Sequence, residues 1–300
     1  MTDLLVGVGI PPFAGPNYDP VADARRAEHL GFDFVSASDH PEGTQPTHEV
    51  WTMLTWIAAA TTKIKVASRV LGVPYRPPAM VAKMAATLDG LSGGRLILGL
   101  GGGYSDEEFR AFGLGVPSPR DKVDGLEEAI RITRGLWSEP AFTFEGRLFQ
   151  TAAANLEPKP THRIPIWVGT YGPRALAVTG RVADGWIPSF DLAPPERVPE
   201  MRDRIFAAAM TAGRDPGEVT LVYNVEVRID TDMEPNPGVI SGTPDEVGDR
   251  LASLIPLGFT AVNLKPFGPD RRDQVEQLGD KVLPALRAAA SATPPSVRDF

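Results

Sequence analysis

Asp39 and His40 close the stretch Gly31–His40, whose earlier positions are mostly apolar or small, so the polarity at its end needs a reason. Histidine titrates near neutrality and can act as a general acid or base. Asp39 could orient it, accept a cofactor N–H, or cap the turn before Pro41. Without a function, His40 is a solvated loop histidine paired with Asp39, and on this pair alone both readings stand. Further along, Gly99-Leu100-Gly101-Gly102-Gly103 forms half of a dinucleotide fingerprint, with Tyr104 in place of the final glycine. Gly101, Gly102 and Gly103 read better as a strand end where backbone passes close to a planar ligand, although a flexible link would need none. Gly169-Thr170-Tyr171-Gly172-Pro173-Arg174 runs from a strand into a helix start. Its backbone N–H groups, the Thr170 hydroxyl and the Arg174 cation would make a phosphate cradle; the plain alternative is a turn with proline opening a helix. Arg69 and Tyr75-Arg76-Pro77-Pro78 add cationic and aromatic groups. Arg76 reads equally as an anion binder or as surface charge.

What is missing narrows the chemistry. The chain has no cysteine, which excludes disulfides, thiolate catalysis and cysteine metal sites. Its other histidines, His29, His48 and His162, form no His-x-His or His-Glu-x-x-His pattern, so no metal is expected and a metal hydrolase is a weak alternative. There is no Gly-x-Ser-x-Gly elbow and no carboxylate pair on adjacent strand ends, which argues against a hydrolase of those types. A net charge of −8 argues against a nucleic-acid partner. No apolar run approaches the roughly 20 residues a membrane helix needs, and no signal peptide is evident. A soluble, cytoplasmic protein acting on a small molecule is the expectation.

The elements that must position these groups alternate strand and helix. Strands are expected at Leu4–Ile10, Gly31–Ser38, Ile64–Val70, Arg95–Leu100, Pro165–Gly169, Ala183–Pro188, Val219–Val227 and Thr260–Leu264. Helices are expected from Asp19-Pro20 to Gly31, His48 to Thr61, through Met84 to Leu91, Asp121 to Trp137, Pro173 to Arg181, Glu200 to Ala212, Thr243 to Leu257 and Arg271 to Ala289. Thr243-Pro244-Asp245-Glu246 is a capping box with proline first in the helix. Phe142–Phe149 alternates about Glu145-Gly146 as a hairpin does. Eight βα units predict an α/β fold, a (β/α)8 TIM barrel of residues 1–290. A hairpin insertion at about 140–150 and a tail at 291–300 complete it. A doubly wound sheet is the competing layout. In a barrel the chemistry gathers at the carboxyl ends of the strands, which is where all four stretches fall.

Taken together, Ala27–Asp33, Ser38-Asp39-His40, Ser92–Gly99, Pro165–Gly169 and Ala183–Trp186 resemble the luciferase-like monooxygenase superfamily, in its coenzyme F420-dependent branch. The resemblance implies an oxidoreductase that moves a hydride between the deazaflavin F420 and a small organic substrate. It implies a cofactor at the strand ends and a homodimer. It also implies a non-proline cis peptide, matching Arg69-Val70, pressed against one face of the ring. By it, His40 would handle a proton, Asp39 would orient it, and Gly169–Gly172 would hold the phosphate. Related sugar-phosphate dehydrogenases carry a glutamate where this chain has Tyr104, which could donate a proton but is no carboxylate. An FMN-dependent monooxygenase using O2 is the alternative within the superfamily, and a non-catalytic cofactor-binding barrel the alternative outside catalysis.

Overall fold

Alternating polar caps and apolar faces set the first repeat. In the computed structural model, which describes residues 4–16, 18–234 and 236–292, α1 (Pro20–His29) starts at Asp19, whose carboxylate accepts from the Val21 N–H. It buries Val21, Ala24 and Ala27 and gives way at Gly31, at φ +87°. That positive φ suits glycine, which has no Cβ to clash. β1 (Leu5–Gly9) and β2 (Phe34–Ala37) flank α1 as parallel strands. α2 (Val50–Ala60) leads to β3 (Lys65–Ser68) and the two-residue β4 (Leu71–Gly72). α3 (Pro78–Ser92) leads to β5 (Leu96–Gly101).

The next segment departs from strict alternation. A short helix, α4 (Asp106–Ala111), precedes α5 (Pro119–Ser138), and the antiparallel pair β6 (Phe142–Glu145) and β7 (Gln150–Ala154) follows. β8 (Ile166–Val168), α6 (Pro173–Val182), β9 (Gly185–Trp186), α7 (Val198–Thr211) and β10 (Thr220–Ile229) restore the rhythm. β11 (Val239–Gly242), α8 (Pro244–Ala252), β12 (Ala261–Pro266), α9 (Arg271–Gln277) and α10 (Leu283–Ala292) complete the described chain.

The sheet closes. In order, β10, β12, β1, β2, β3, β5, β8 and β9 are parallel neighbours, and β9 pairs β10 again through Thr220 opposite Gly185. This is the eight-stranded barrel, and a doubly wound sheet, which has two open edges, is ruled out. β4 and β11 hang on β5 and β10 outside the ring.

Three departures have physical causes. α4 and β11 were not anticipated: Asp106–Ala111 is one acidic turn and a half, and Val239–Gly242 has two apolar residues, too few for periodicity to register. The hairpin's second arm reaches Ala154, beyond the expected 150. The last helix is broken by a π turn at Leu278–Val282 and continues to Ala292; the rest of the expected tail, 293–300, lies outside the described residues.

Inside the barrel, Phe34, Ala67, Ile97, Trp167, Ile187, Val222 and Ala261 form an apolar plug, joined by Leu5 and Val70. Phe34 meets Trp167 edge-on with ring centroids 5.4 Å apart. Gly7 leaves the room that the Phe34 ring fills. This plug is the base on which the mouth is built.

Candidate active site

Directly above the plug the barrel changes from apolar to polar. Ser36, two residues beyond Phe34, donates to Asn263 Oδ1 at 2.9 Å; Asn263 Nδ2 donates to Asn224 Oδ1 at 2.7 Å; Asn224 Nδ2 donates to Ser189 Oγ at 3.1 Å. Ser36, Asn224 and Asn263 are all buried, so each needs these partners. Arg69, two residues beyond the plug's Ala67, donates from Nε to Ser36 Oγ at 3.3 Å. A guanidinium can only donate, so Ser36 accepts from Arg69 and has its own proton to give to Asn263. The row spans the floor from the end of β3 to the residues after β9.

The walls above the floor are short of side chains. Gly9, Gly99, Gly101 and Gly169 occupy the upper turns of β1, β5 and the end of β8. The Arg69–Val70 peptide is cis, as the resemblance implied. Val70 is half-buried, and its methyl groups pack toward Gly101, where an added Cβ would lie 2.6 Å from Val70 Cγ2. The glycine run thus has a cause other than a ligand. An added Cβ at Gly102 would meet the Lys122 carbonyl at 2.7 Å, and Gly103 sits at φ +96° against Phe109. Gly169 has only ordinary contacts, 3.6 Å to Val70, and a Cβ at Gly172 would meet nothing within 4 Å.

His40 lies at the rim with half of its side chain exposed, and its Nδ1 is 2.8 Å from Glu108 Oε1. Glu108 is buried, and its other oxygen accepts from the Tyr75 hydroxyl. Burial, then the bond to the Glu108 carboxylate, push the Tyr75 phenol upward, so it stays a donor. An ionised Glu108 accepts Nδ1–H and leaves Nε2 as the basic nitrogen of His40. Ser105 caps α4 by accepting from the Glu108 N–H, which fixes where that carboxylate emerges.

Asp39 is not the residue that orients His40. Its carboxylate faces the other way, accepting from the Gly72 N–H at 3.0 Å and from Arg76 at 2.7 and 3.1 Å. Arg76 also binds Glu49, so it is a structural cation rather than an anion binder or a surface charge. Tyr104 is 81% exposed and turned to solvent. A carboxylate reaches the rim four residues later, at Glu108.

The cradle at α6 is simpler than the sequence suggests. The Thr170 hydroxyl is buried against Thr179 at 2.7 Å. Arg174 is held by Asp124 at 2.6 Å. The Tyr171 hydroxyl accepts from the Ser189 N–H at 3.0 Å, and burial raises its phenol. What remains open is the α6 N-terminus itself: Gly172 offers no side-chain cap, leaving backbone N–H groups of the first turn for an anion.

Glu108, Ser36 and Asn263 escape a reading of the sequence alone, and Tyr75, read there only as an aromatic group beside Arg76, proves to be the partner of Glu108. Glu108 hides in the acidic run Asp106-Glu107-Glu108, which looks like a solvated helix start. A polar residue inside an apolar strand, as in Phe34-Val35-Ser36-Ala37 or Ala261-Val262-Asn263-Leu264, was the available signal.

A barrel with its polar groups collected at one mouth invites comparison with known proteins. Residues 15–235 match the family model described as luciferase-like monooxygenase. The chain belongs to the luciferase-like monooxygenase family. It is 34% identical to the F420-dependent glucose-6-phosphate dehydrogenase of Kineococcus radiotolerans, over 88% of this chain and 91% of that protein. It is 26% identical to the 5,10-methylenetetrahydromethanopterin reductase of Archaeoglobus fulgidus, over 87% and 93%. Among solved structures, an F420-dependent secondary alcohol dehydrogenase in complex with an F420-acetone adduct superposes with a TM-score of 0.85 at 21% identity, covering 95% of this chain and 99% of that one. This luciferase-like oxidoreductase therefore shares its barrel with proteins of more than one substrate. Among its described residues no helix is long and apolar enough to cross a membrane, and no three His, Cys, Asp or Glu side chains cluster as metal ligands would.

Proposed function

We propose that this luciferase-like oxidoreductase uses the deazaflavin coenzyme F420 to oxidise or reduce a small organic substrate. The observation that carries the proposal is His40, half-exposed at the rim of a glycine-walled bowl and held through Nδ1 by buried Glu108. The choice of F420 is supported by the relative at 34% identity, whose name gives that cofactor.

The residues present fit such a group. Val70, packed over Gly101 and with Gly169 beside it, would offer an apolar wall for a planar ring. Arg69 on the floor would face a polar ring edge, and the uncapped α6 N-terminus would hold a phosphate. When bound, the deazaflavin supplies a carbon that accepts or gives a hydride. His40 Nε2 takes the proton that leaves the substrate as its hydrogen is removed, or returns one in the other direction. Glu108 holds the ring in that orientation and stabilises the imidazolium once it forms. Tyr75 keeps Glu108 in place.

A fluorescence titration of the purified protein against F420 and FMN in parallel tests the cofactor; tighter binding of FMN overturns it. His40→Ala should lower turnover by about 100-fold or more while cofactor affinity holds. Turnover indifferent to that change would leave a binding barrel without catalysis by this residue. For the phosphate seat, Gly172→Val with Arg174→Ala should fold, since a Cβ at 172 meets open space, and should weaken cofactor binding at least tenfold. Unchanged affinity rules the seat out.

A further inference from the structure

The carboxylates Asp39, Glu108 and Glu226 around the floor are already engaged, and one cation beside them is not. Asp39 is bound to Arg76 and the Gly72 N–H, Glu108 to His40 and Tyr75, and Glu226 to Lys265 at 2.7 Å. The Arg69 guanidinium is left with a single hydrogen bond, from Nε to the neutral Ser36 hydroxyl at 3.3 Å, and no ion pair among the described residues. Its two terminal nitrogens have no partner, and they are not among the polar atoms sealed from solvent. The bond to Ser36 sets this guanidinium on the polar floor of the barrel. A half-buried cation without a counter-charge is costly to fold around. Its cost is consistent with a site kept for a ligand. Desolvation lowers the guanidinium to about 10, which still leaves it charged at neutral pH.

We infer that Arg69 receives a planar anionic acceptor carried by the molecule that fills the bowl: a carboxylate, or the deprotonated N–C=O edge of a uracil-like ring. Planarity follows from the guanidinium, whose two terminal N–H groups form a fork matched to paired acceptors. The far end of the row is closed: Ser189 accepts from Asn224 at 3.1 Å, and its side chain hydrogen-bonds the Tyr171 hydroxyl. Arg69 is therefore the anchor. The inference rests on the bowl alone and does not require F420 to be the cofactor.

The anion has two possible sources, substrate or cofactor ring, and the test separates them. Wild type, Arg69→Gln and Arg69→Lys are titrated by calorimetry with benzoate and with benzamide, its neutral counterpart, and by fluorescence with F420. Arg69→Gln should weaken binding of an anion by at least about tenfold and leave benzamide unchanged, with Arg69→Lys in between. A loss confined to benzoate on F420-loaded protein assigns the anion to substrate, and one confined to F420 assigns it to the ring. If benzoate and benzamide bind wild type alike and Arg69→Gln leaves F420 unchanged, the inference is overturned. Arg69→Gln should also melt at or above wild type, because it removes an unanswered cation; a fall of several degrees would mark Arg69 as structural and overturn it too. If neither F420 nor FMN binds, the cofactor reading fails, while benzoate on the unloaded protein still decides the role of Arg69.

Discussion

At the scale of single residues, the site is a set of substitutions for what the sequence seemed to promise. Asp39 adjoins His40 in the chain but spends its carboxylate on Arg76 and Gly72, because its side chain leaves the strand end on the other side. Glu108, 68 residues away, does the orienting. Spacing along one strand cannot report a partner delivered by another loop, and this is why His40 was legible and Glu108 was not. Glu108→Gln should therefore cut turnover roughly tenfold to a hundredfold with a small change in KM, and should alter the pH profile, since an amide no longer stabilises the imidazolium. Asp39→Asn should act differently, lowering stability through the Arg76 contact while the shape of the pH profile holds. Steady-state kinetics across pH separates the two. Tyr104→Phe should be silent in the same assay, given its exposure.

At the scale of elements, loops are tied by carboxylates that collect backbone donors. Glu28, at the end of α1, accepts from the N–H groups of Thr62, Lys63 and Ile64 at 2.9, 2.6 and 2.9 Å and so fixes the entry into β3. Desolvation acts to raise this carboxyl, and the three N–H groups outweigh it, so the group sits below the ordinary glutamate range. A lowered folded value gives stability that is present above the ordinary glutamate pKa, about 4.3, and is lost as pH falls through the folded one. Glu28→Gln should cost about 1 kcal/mol at neutral pH, screened by its partial exposure, and flatten part of the acid limb of a melting-temperature series. The strands and helices themselves were readable, because apolar periodicity and caps such as Thr243–Glu246 announce them. The glycine run has causes that no local pattern shows: Gly102 leaves room for the Lys122 carbonyl and Gly103 for the Phe109 ring.

At the scale of the molecule, the barrel is a ring closed by its own ends. β1 pairs β12, and the last helices bind back to the first unit: Arg26 with Glu276, Arg271 with the Gly9 carbonyl, and Arg287 with the Gly31 carbonyl at 2.8 Å. Val275, Leu278, Val282, Leu283 and Leu286 are buried there. At about 2 kcal/mol each, these five approach the whole stability of a typical domain, about 5–15 kcal/mol. A chain ending at Asp270 should lose its near-ultraviolet circular dichroism and most of its soluble yield. Eight βα units could be counted from the chain, but closure could not, since no local pattern says which strand meets β10 last.

Val70 carries a consequence for how such a chain can change over generations. Its Cγ2 methyl would lie 2.6 Å from a Cβ on Gly101 and 3.6 Å from one on Gly169. Val70 and Gly101 thus share one allotment of space, and position 101 cannot enlarge while Val70 keeps that methyl group. Gly101→Ala should be tolerated only beside Val70→Ala, a coupling that a double-mutant cycle reads as strong non-additivity. Lineages that enlarge position 101 should be found to have shrunk position 70 as well, a pairing set by volume and indifferent to whatever molecule the bowl receives.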